Sequence, residues 1–173
     1  QMSLNKYAVG TSSGTDSLLI SLLAIGVKKG DEIITSSFSW LSSVEVILLL
    51  GAKPVYVDIN LNDFNMDVNE IKKKITKKTI AVIVVHFAGL PCEMGDIVKL
   101  LSKKKIQLIE DSAETLGARW KNKFTGSFGT GCFSFFPTKN ITTTEGGMLT
   151  TNNRLNYLKV KKLIAHGINH QKK

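Results

Sequence analysis

Apolar residues along the chain follow two spacings, one typical of helices and one typical of short buried strands. The first helical pattern, Thr15–Ile25, ends before Gly26, a residue suited to a left-handed helix cap. The strand pattern is clearest at Ile80–Val85, whose unbroken apolar run indicates a strand buried on both faces. This alternation predicts an α/β fold, with helices on both faces of a mostly parallel central sheet.

The other elements follow the same patterns. The predicted helices are Thr15–Ile25, Ser42–Leu50, Val68–Lys74 and Met94–Ser102. The predicted strands are Glu32–Thr35, Pro54–Val57, Ile80–Val85, Ile106–Ile109, Cys132–Phe136 and Met148–Thr151, with a hairpin at Trp120–Phe124. The carboxyl ends of such strands are where open α/β sheets bind ligands.

Composition indicates one folded domain. Of the 173 residues, 43% are hydrophobic, which excludes a disordered tail and fits a single domain over residues 1–173. No apolar run reaches the roughly 18 residues that a membrane span needs, and residues 1–10 lack the layout of a secretory signal. We therefore expect a cytoplasmic protein without a membrane partner. Cys92 and Cys132 lack metal or disulfide spacing, so we interpret them as buried apolar residues.

The net charge of +9 raises the question of a nucleic-acid partner. Only Arg119 and Arg154 are arginines, and the lysines cluster in segments typical of solvated helix faces. We expect no nucleic-acid partner, although a basic α/β module that binds a nucleotide or nucleic acid remains an alternative. His166 and His170 lie one helical turn apart without a third ligand, so we predict no metal site.

A first motif, Ser12-Ser13-Gly14-Thr15, directly precedes the first predicted helix. Unpaired amides at a helix start, small residues and hydroxyl groups together favour binding of an anion such as phosphate. An ordinary helix cap explains the same residues.

A second motif, Glu110-Asp111-Ser112-Ala113-Glu114, follows a buried strand. Carboxylates at that place need a cation or hydrogen-bond donors, because burying an unpaired charge is unfavourable. A ligand contact and a helix cap by Asp111 are the two interpretations.

A third motif places Lys139 after the aromatic strand residues Phe133–Phe136. Burial would disfavour the charged ammonium and produce a nucleophilic amine, as a carbonyl cofactor requires. A structural lysine with its charge at the surface is the alternative.

The order of these motifs resembles fold type I enzymes that use pyridoxal 5′-phosphate (PLP), and specifically the DegT/DnrJ-type nucleotide-sugar aminotransferases. Matching segments cover nearly the whole chain. They are Ser13–Thr15, Gly30–Ile34, Ser36–Trp40, Gly51–Ile59, His86–Pro91, Glu110–Ala113, Phe133–Phe135 and Lys139-Asn140.

The resemblance implies a role for each matched residue. Lys139 would hold PLP covalently and then move a proton between substrate and cofactor, and Asp111 would keep the pyridine nitrogen protonated. Trp40 would stack on the pyridine ring, and Glu114 would lie near its phenolic oxygen. The phosphate group would be held by Gly14, Thr15, Asp16 and Ser134, with the backbone amide rather than the carboxylate of Asp16 facing it.

The resemblance also implies the reaction, which is transfer of an amino group to a nucleotide-linked 4-keto-6-deoxy sugar from an amino acid donor such as glutamate. The segment Asn140–Met148 resembles perosamine synthases, which serve amino-sugar and surface-polysaccharide biosynthesis. Relatives that perform dehydration carry His at the position of Lys139, so a dehydratase-like reaction is the weaker enzyme alternative.

Members of this family have an N-terminal helical segment and a smaller C-terminal domain in addition to the matched segments. We therefore expect residues 1–173 to be the PLP-binding large domain of a longer protein. The resemblance implies that further residues of that protein and of a homodimer partner complete the active site.

Overall fold

The computed structural model describes residues 5–168, which form a sheet covered by helices. The strands are β1 (Tyr7–Thr11), β2 (Glu32–Ser36), β3 (Lys53–Val57), β4 (Thr79–Val85), β5 (Gln107–Asp111), β6 (Arg119–Trp120), β7 (Lys123–Phe124), β8 (Thr130–Ser134) and β9 (Gly147–Thr151). The helices are α1 (Gly14–Ile25), α2 (Ser42–Leu49), α3 (Val68–Lys74), α4 (Met94–Lys104) and α5 (Arg154–Leu163).

The main sheet has seven strands in the order β1-β9-β8-β5-β4-β2-β3. Strands β3, β2, β4, β5 and β8 pair in parallel, whereas β9 is antiparallel to both of its neighbours. Because β9 alone is reversed, the carboxyl ends of the other six strands lie at one edge of the sheet. The α/β prediction with a mostly parallel sheet is confirmed.

Adjacent residues of the central strands face opposite layers of the core. Ile33 packs in the layer that contains residues of α1 and α2, and Ile34 packs in the layer that contains residues of α3 and α4. Both side chains are fully buried, and burial of one such side chain contributes about 1.5–3 kcal/mol. This double burial explains why the central strands are apolar at consecutive positions.

Two elements were not predicted from the hydrophobic pattern. Helix α5 buries only Val160, so its sequence is largely polar, and its place is set by packing against α1 and by stacking of Tyr157 on Tyr7 of β1. Strand β1 pairs with β9 in the same region. Hydrophobic periodicity reveals an element through its buried apolar residues, and each of these two segments contains only one.

One predicted strand is displaced along the sequence. Strand β8 comprises Thr130–Ser134 rather than Cys132–Phe136, because its pairing with β5 begins at Thr130 opposite Ile109. The aromatic run therefore extends past the strand, and Phe136 is 45% exposed. The chain leaves the sheet at Ser134, before Lys139.

Several expectations about composition can be compared with residues 5–168. Cys92 and Cys132 are buried and unbonded to each other, as predicted. Within the described range, no helix combines the length and apolarity that crossing a bilayer demands. The same range contains no cluster of three potential metal ligands, and His170 lies outside it.

Candidate active site

A cavity of about 370 Å³ opens at the edge where the parallel strands end. The residues that line it come from the segments after β2, β4, β5 and β8, which topology brings together. They are Ser37, Phe38, Ser39, Trp40, Val85, His86, Phe87, Asp111, Ala113, Glu114 and Lys139. Four predicted site residues, Trp40, Asp111, Glu114 and Lys139, thus lie around one cavity.

Asp111 ends β5 and is 8% exposed. One carboxylate oxygen accepts a hydrogen bond from Ser43 Oγ at 2.8 Å, and the other accepts from the Ala113 amide at 3.2 Å. The structure shows turns rather than a helix after Asp111, so the helix-cap interpretation is wrong. Burial raises the pKa of Asp111, and the hydrogen bonds from Ser43 and Ala113 offset part of that rise.

We expect the cofactor-free protein to become less stable as the pH rises through the titration of Asp111. A raised native pKa means that the folded chain keeps this proton at pH values where the unfolded chain has lost it. Stability therefore falls from the ordinary carboxyl pKa, about 4, up to the native value. Asp111→Asn removes this titration, so the stability of the variant relative to wild type should increase across that interval. Urea unfolding at several pH values tests this, and a constant difference contradicts it.

Lys139 reaches the cavity from the turn that follows β8. Its ammonium lies 3.4 Å from Glu114 Oε1, and its side chain is 21% exposed. The other oxygen of Glu114 accepts a hydrogen bond from the Ala88 amide at 3.0 Å, which fixes the carboxylate. The predicted burial of Lys139 is thus only partial, and the amine is held in an ion pair.

Aromatic side chains surround the entrance to the cavity. Trp40, which is predicted to stack on the pyridine ring, lines the cavity but is 81% exposed. Little of its side chain therefore contacts the rest of the protein. Phe38 lies with its ring centroid 4.8 Å from that of Phe87 and 5.8 Å from that of Phe64. Phe38 and Phe87 thus add apolar surface to the lining of the cavity.

Glu110, the residue before Asp111, points away from the cavity into the protein. It is fully buried and accepts hydrogen bonds from the amides of Gly126, Phe128 and Gly129 at 2.7–2.8 Å. His86 Nε2 lies 3.2 Å from the same carboxylate. The acidic motif therefore divides into a carboxylate that secures a loop and one that faces a cavity.

The first sequence motif forms the start of α1. Ser13 is the helix cap, and its hydroxyl accepts from the Asp16 amide at 3.0 Å. The Asp16 carboxylate accepts a hydrogen bond from Ser12. The amide of Asp16, expected to face an anion, is thus used by the cap. The preceding amides of Gly14 and Thr15 belong to the first turn, where intrahelical acceptors are lacking.

The helix start and the end of β8 approach closely at Gly14. A side chain at this position would come within 2.7 Å of Ser134 Cβ, so only glycine fits. The structure therefore brings Gly14 and Ser134 together. Neither residue, nor Thr15 or Asp16, lines the cavity described above.

We expect Gly14→Ala to destabilise the protein by about 1–3 kcal/mol, because the added methyl group overlaps Ser134. Urea unfolding measures this loss. Gly10→Ala is the matched control, since a Cβ at Gly10 meets no atom within 4 Å. Equal stability of the two variants would show that the contact with Ser134 is not tight.

Two serines of α2 connect the helix start with the cavity. Ser42 Oγ lies 2.8 Å from Thr15 Oγ1, and the next residue, Ser43, donates to Asp111. The predicted residues thus form two neighbouring groups joined through the first turn of α2. A ligand with an anionic end and a ring could contact both.

Comparison with known proteins identifies the family to which the chain belongs. The sequence profile described as the DegT/DnrJ/EryC1/StrS aminotransferase family matches residues 2–173. The chain belongs to this family. The resemblance predicted from the sequence motifs is thereby confirmed.

Individual relatives show the extent of the similarity. GDP-perosamine synthase of Escherichia coli O157:H7 is 43% identical over 153 residues, covering 88% of this chain and 42% of that protein. An aminotransferase from Psychrobacter cryohalolentis has a TM-score of 0.94 at 35% identity, covering 96% of this chain and 42% of that one. This structural agreement confirms the predicted fold type.

Another solved relative is a GDP-4-keto-6-deoxymannose-3-dehydratase with a trapped PLP-glutamate geminal diamine. Its TM-score is 0.90 at 36% identity, covering 94% of this chain and 44% of that one. Family structures thus include both an aminotransferase and a dehydratase. The present chain spans about two fifths of the length of the curated relatives it matches.

Some residues around the cavity were missed by sequence reasoning. The sequence analysis gives Ser43 no role beyond its place in a predicted helix, and it gives His86 none beyond its place in a segment that matches the family. The apolar strand before His86 was a usable signal, since it brings that residue to the ligand-binding edge. For Ser43 the sequence offers only a small polar residue near a helix start.

Proposed function

We propose that this chain is the PLP-binding large domain of a sugar aminotransferase, over residues 1–173. The observation that carries the proposal is that the Lys139 amine and the Asp111 carboxylate line one cavity of about 370 Å³. Membership of the aminotransferase family supports the same conclusion. An amine and a carboxylate in one cavity are what a carbonyl cofactor with a basic ring nitrogen requires.

The residues present fit PLP in three respects. The close approach of Gly14 to Ser134 leaves small groups at the helix start, where a phosphate could accept hydrogen bonds from amides. Asp111 is buried with one donor on each oxygen, which leaves lone pairs for a ring N–H. Trp40 offers an exposed aromatic face at the entrance.

Each residue would have a defined task. When bound, PLP supplies a reactive carbonyl carbon and a ring that accepts an electron pair. Lys139 would supply the amine that condenses with this carbonyl, with release of water, and would afterwards carry a proton to or from the substrate carbon. Glu114, whose Oε1 lies 3.4 Å from Lys139 Nζ, would orient the amine. Asp111 would accept a hydrogen bond from the protonated ring nitrogen.

We further propose a nucleotide-linked 4-keto-6-deoxy sugar as amino acceptor and glutamate as donor. Identity of 43% to GDP-perosamine synthase supports this substrate class and a role in amino-sugar and polysaccharide biosynthesis. The glutamate adduct in the related dehydratase supports the donor. Lys139 favours amino transfer over dehydration. We also propose a cytoplasmic homodimer whose subunits share the active sites.

Titration with PLP followed by glutamate tests the function. We expect a visible absorption band on addition of PLP and its loss on addition of glutamate, as the cofactor becomes aminated. In the longer protein, which supplies the residues expected to complete the site, a GDP-linked 4-keto-6-deoxy sugar should then restore the band and yield an amino sugar detectable by mass spectrometry. Absence of the band, its persistence with glutamate, or a deoxygenated product without nitrogen would each contradict the proposal.

A further inference from the structure

Ser43 makes a contact with the candidate active site that only the fold creates. It lies in the first turn of α2, is fully buried, and donates its hydroxyl proton to Asp111 Oδ2 at 2.8 Å. The two residues are 68 positions apart in the sequence. A hydroxyl buried in this way is fixed in both place and direction.

The direction of this hydrogen bond follows from proton counting. A serine hydroxyl has one proton to donate, and that of Ser43 points to Asp111. Ser39 Oγ lies 3.2 Å from Ser43 Oγ, so Ser39 must be the donor in that pair. Ser39 lines the cavity. The two hydroxyls thus form a chain of donors that leads from the cavity to the carboxylate.

Charged and titratable groups surround Asp111 on several elements. Lys139 approaches from the turn after β8, His86 from the end of β4, and Cys132 from β8, while Glu110 is its neighbour on β5. The backbone amide of Cys92 donates to His86 Nδ1, and His86 Nε2 lies towards Glu110. Lys139 is therefore the basic side chain that lines the cavity together with Asp111 and is not paired with Glu110.

Two neutral hydrogen-bond donors also contact the Asp111 carboxylate. Ser43 donates its hydroxyl proton to one oxygen of Asp111. The Ala113 amide holds the other oxygen at 3.2 Å. Burial raises the pKa of this carboxyl, so donors that contact it directly decide how far its charged form is retained.

We propose that Ser43 is a positioning residue that orients the Asp111 carboxylate and favours its charged form. The inference deepens the proposed function and rests on it where PLP is concerned. Its effect on Asp111 itself exists in the cofactor-free chain. Loss of the hydroxyl should therefore change both the titration of Asp111 and the affinity for PLP.

The experiment compares Ser43→Ala and Ser43→Cys, which lack a strong donor, with Ser43→Thr, which retains the hydroxyl. In the cofactor-free 173-residue chain, the Asp111 carboxyl carbon is followed by ¹³C NMR, with Asp111→Asn for assignment. We expect titration at higher pH in the Ala and Cys variants and near wild-type titration in Thr. PLP affinity should weaken about tenfold in the first two.

Ser127→Ala is the matched control, because Ser127 is a buried serine that donates to the Phe124 carbonyl and does not line the cavity. It should leave the titration and PLP affinity unchanged. If Ser43→Ala fails to fold, Ser43→Cys decides the outcome. Identical Asp111 titration in wild type and the donor-lacking variants overturns the inference. Failure of wild type to bind PLP overturns the proposed function instead, and the NMR comparison still judges Ser43.

Discussion

Replacement of Lys139 by alanine should abolish covalent attachment of PLP and lower amino transfer by at least about 10³-fold. Among residues 5–168, Lys139 is the one lysine that lines the cavity, so the variant lacks both the attacking nitrogen and the proton carrier. Borohydride treatment of the PLP-loaded protein, followed by peptide mass mapping, measures attachment. Wild type should carry the reduced cofactor at Lys139.

Two further variants separate chemistry from charge. Lys139→Arg retains a cation that can pair with Glu114 but supplies no amine able to attack, so it should also lose attachment. Lys103→Ala removes an exposed lysine of α4 and should label normally. Attachment at another lysine in wild type, or normal attachment in Lys139→Ala, would refute the assignment.

Replacement of Glu110 by alanine should produce the largest loss of stability, about 3–5 kcal/mol. The fully buried carboxylate accepts hydrogen bonds from three backbone amides within residues 126–129 and contacts His86. Truncation leaves these donors unsatisfied inside the protein. For a chain of this size, the midpoint of thermal unfolding should fall by roughly 10 °C. Calorimetry and urea unfolding measure the effect.

Glu45→Ala serves as the control, because Glu45 is exposed on α2 and its loss uncovers no buried donor. Glu110→Gln should lie between the two, since an amide keeps one acceptor oxygen but turns an N–H₂ group towards other donors. If Glu110→Ala were as stable as Glu45→Ala, the loop 126–129 would have to be held by contacts other than this carboxylate.

The sequence was sufficient to predict the central layers of the fold. Strand β4 and helix α3 were recognised because one is continuously apolar and the other has an apolar face with lysines outward. Helix α5 was missed because a single fully buried residue, Val160, leaves no periodic signal. Strand β8 was predicted two residues too far along the sequence, because Phe135 and Phe136 continue the aromatic run beyond its last residue, Ser134.

Part of the candidate site could also be predicted from the sequence. Lys139 and Asp111 could be selected because each follows a strand, and strand ends meet at one edge of a parallel sheet. Glu114 was selected through the family resemblance, but its ion pair with Lys139 and the hydrogen bond from Ser43 to Asp111 could not be predicted, because both join distant segments of the chain. The different directions of Glu110 and Asp111 follow from the alternation of a strand, but which donors each one meets depends on tertiary structure.

The hydrogen bonds between Glu110 and the backbone of residues 126–129 also fix the end of the segment that contains the β6–β7 hairpin. After Asp111 the chain leaves the main sheet, forms this hairpin and returns to the sheet at β8. Lys121 and Asn122 are exposed at the tip of the hairpin. Trp120 anchors the base of the hairpin by packing beside Gly95. A fluorophore or affinity tag could therefore be inserted at the tip, whose residues do not line the cavity that contains Lys139.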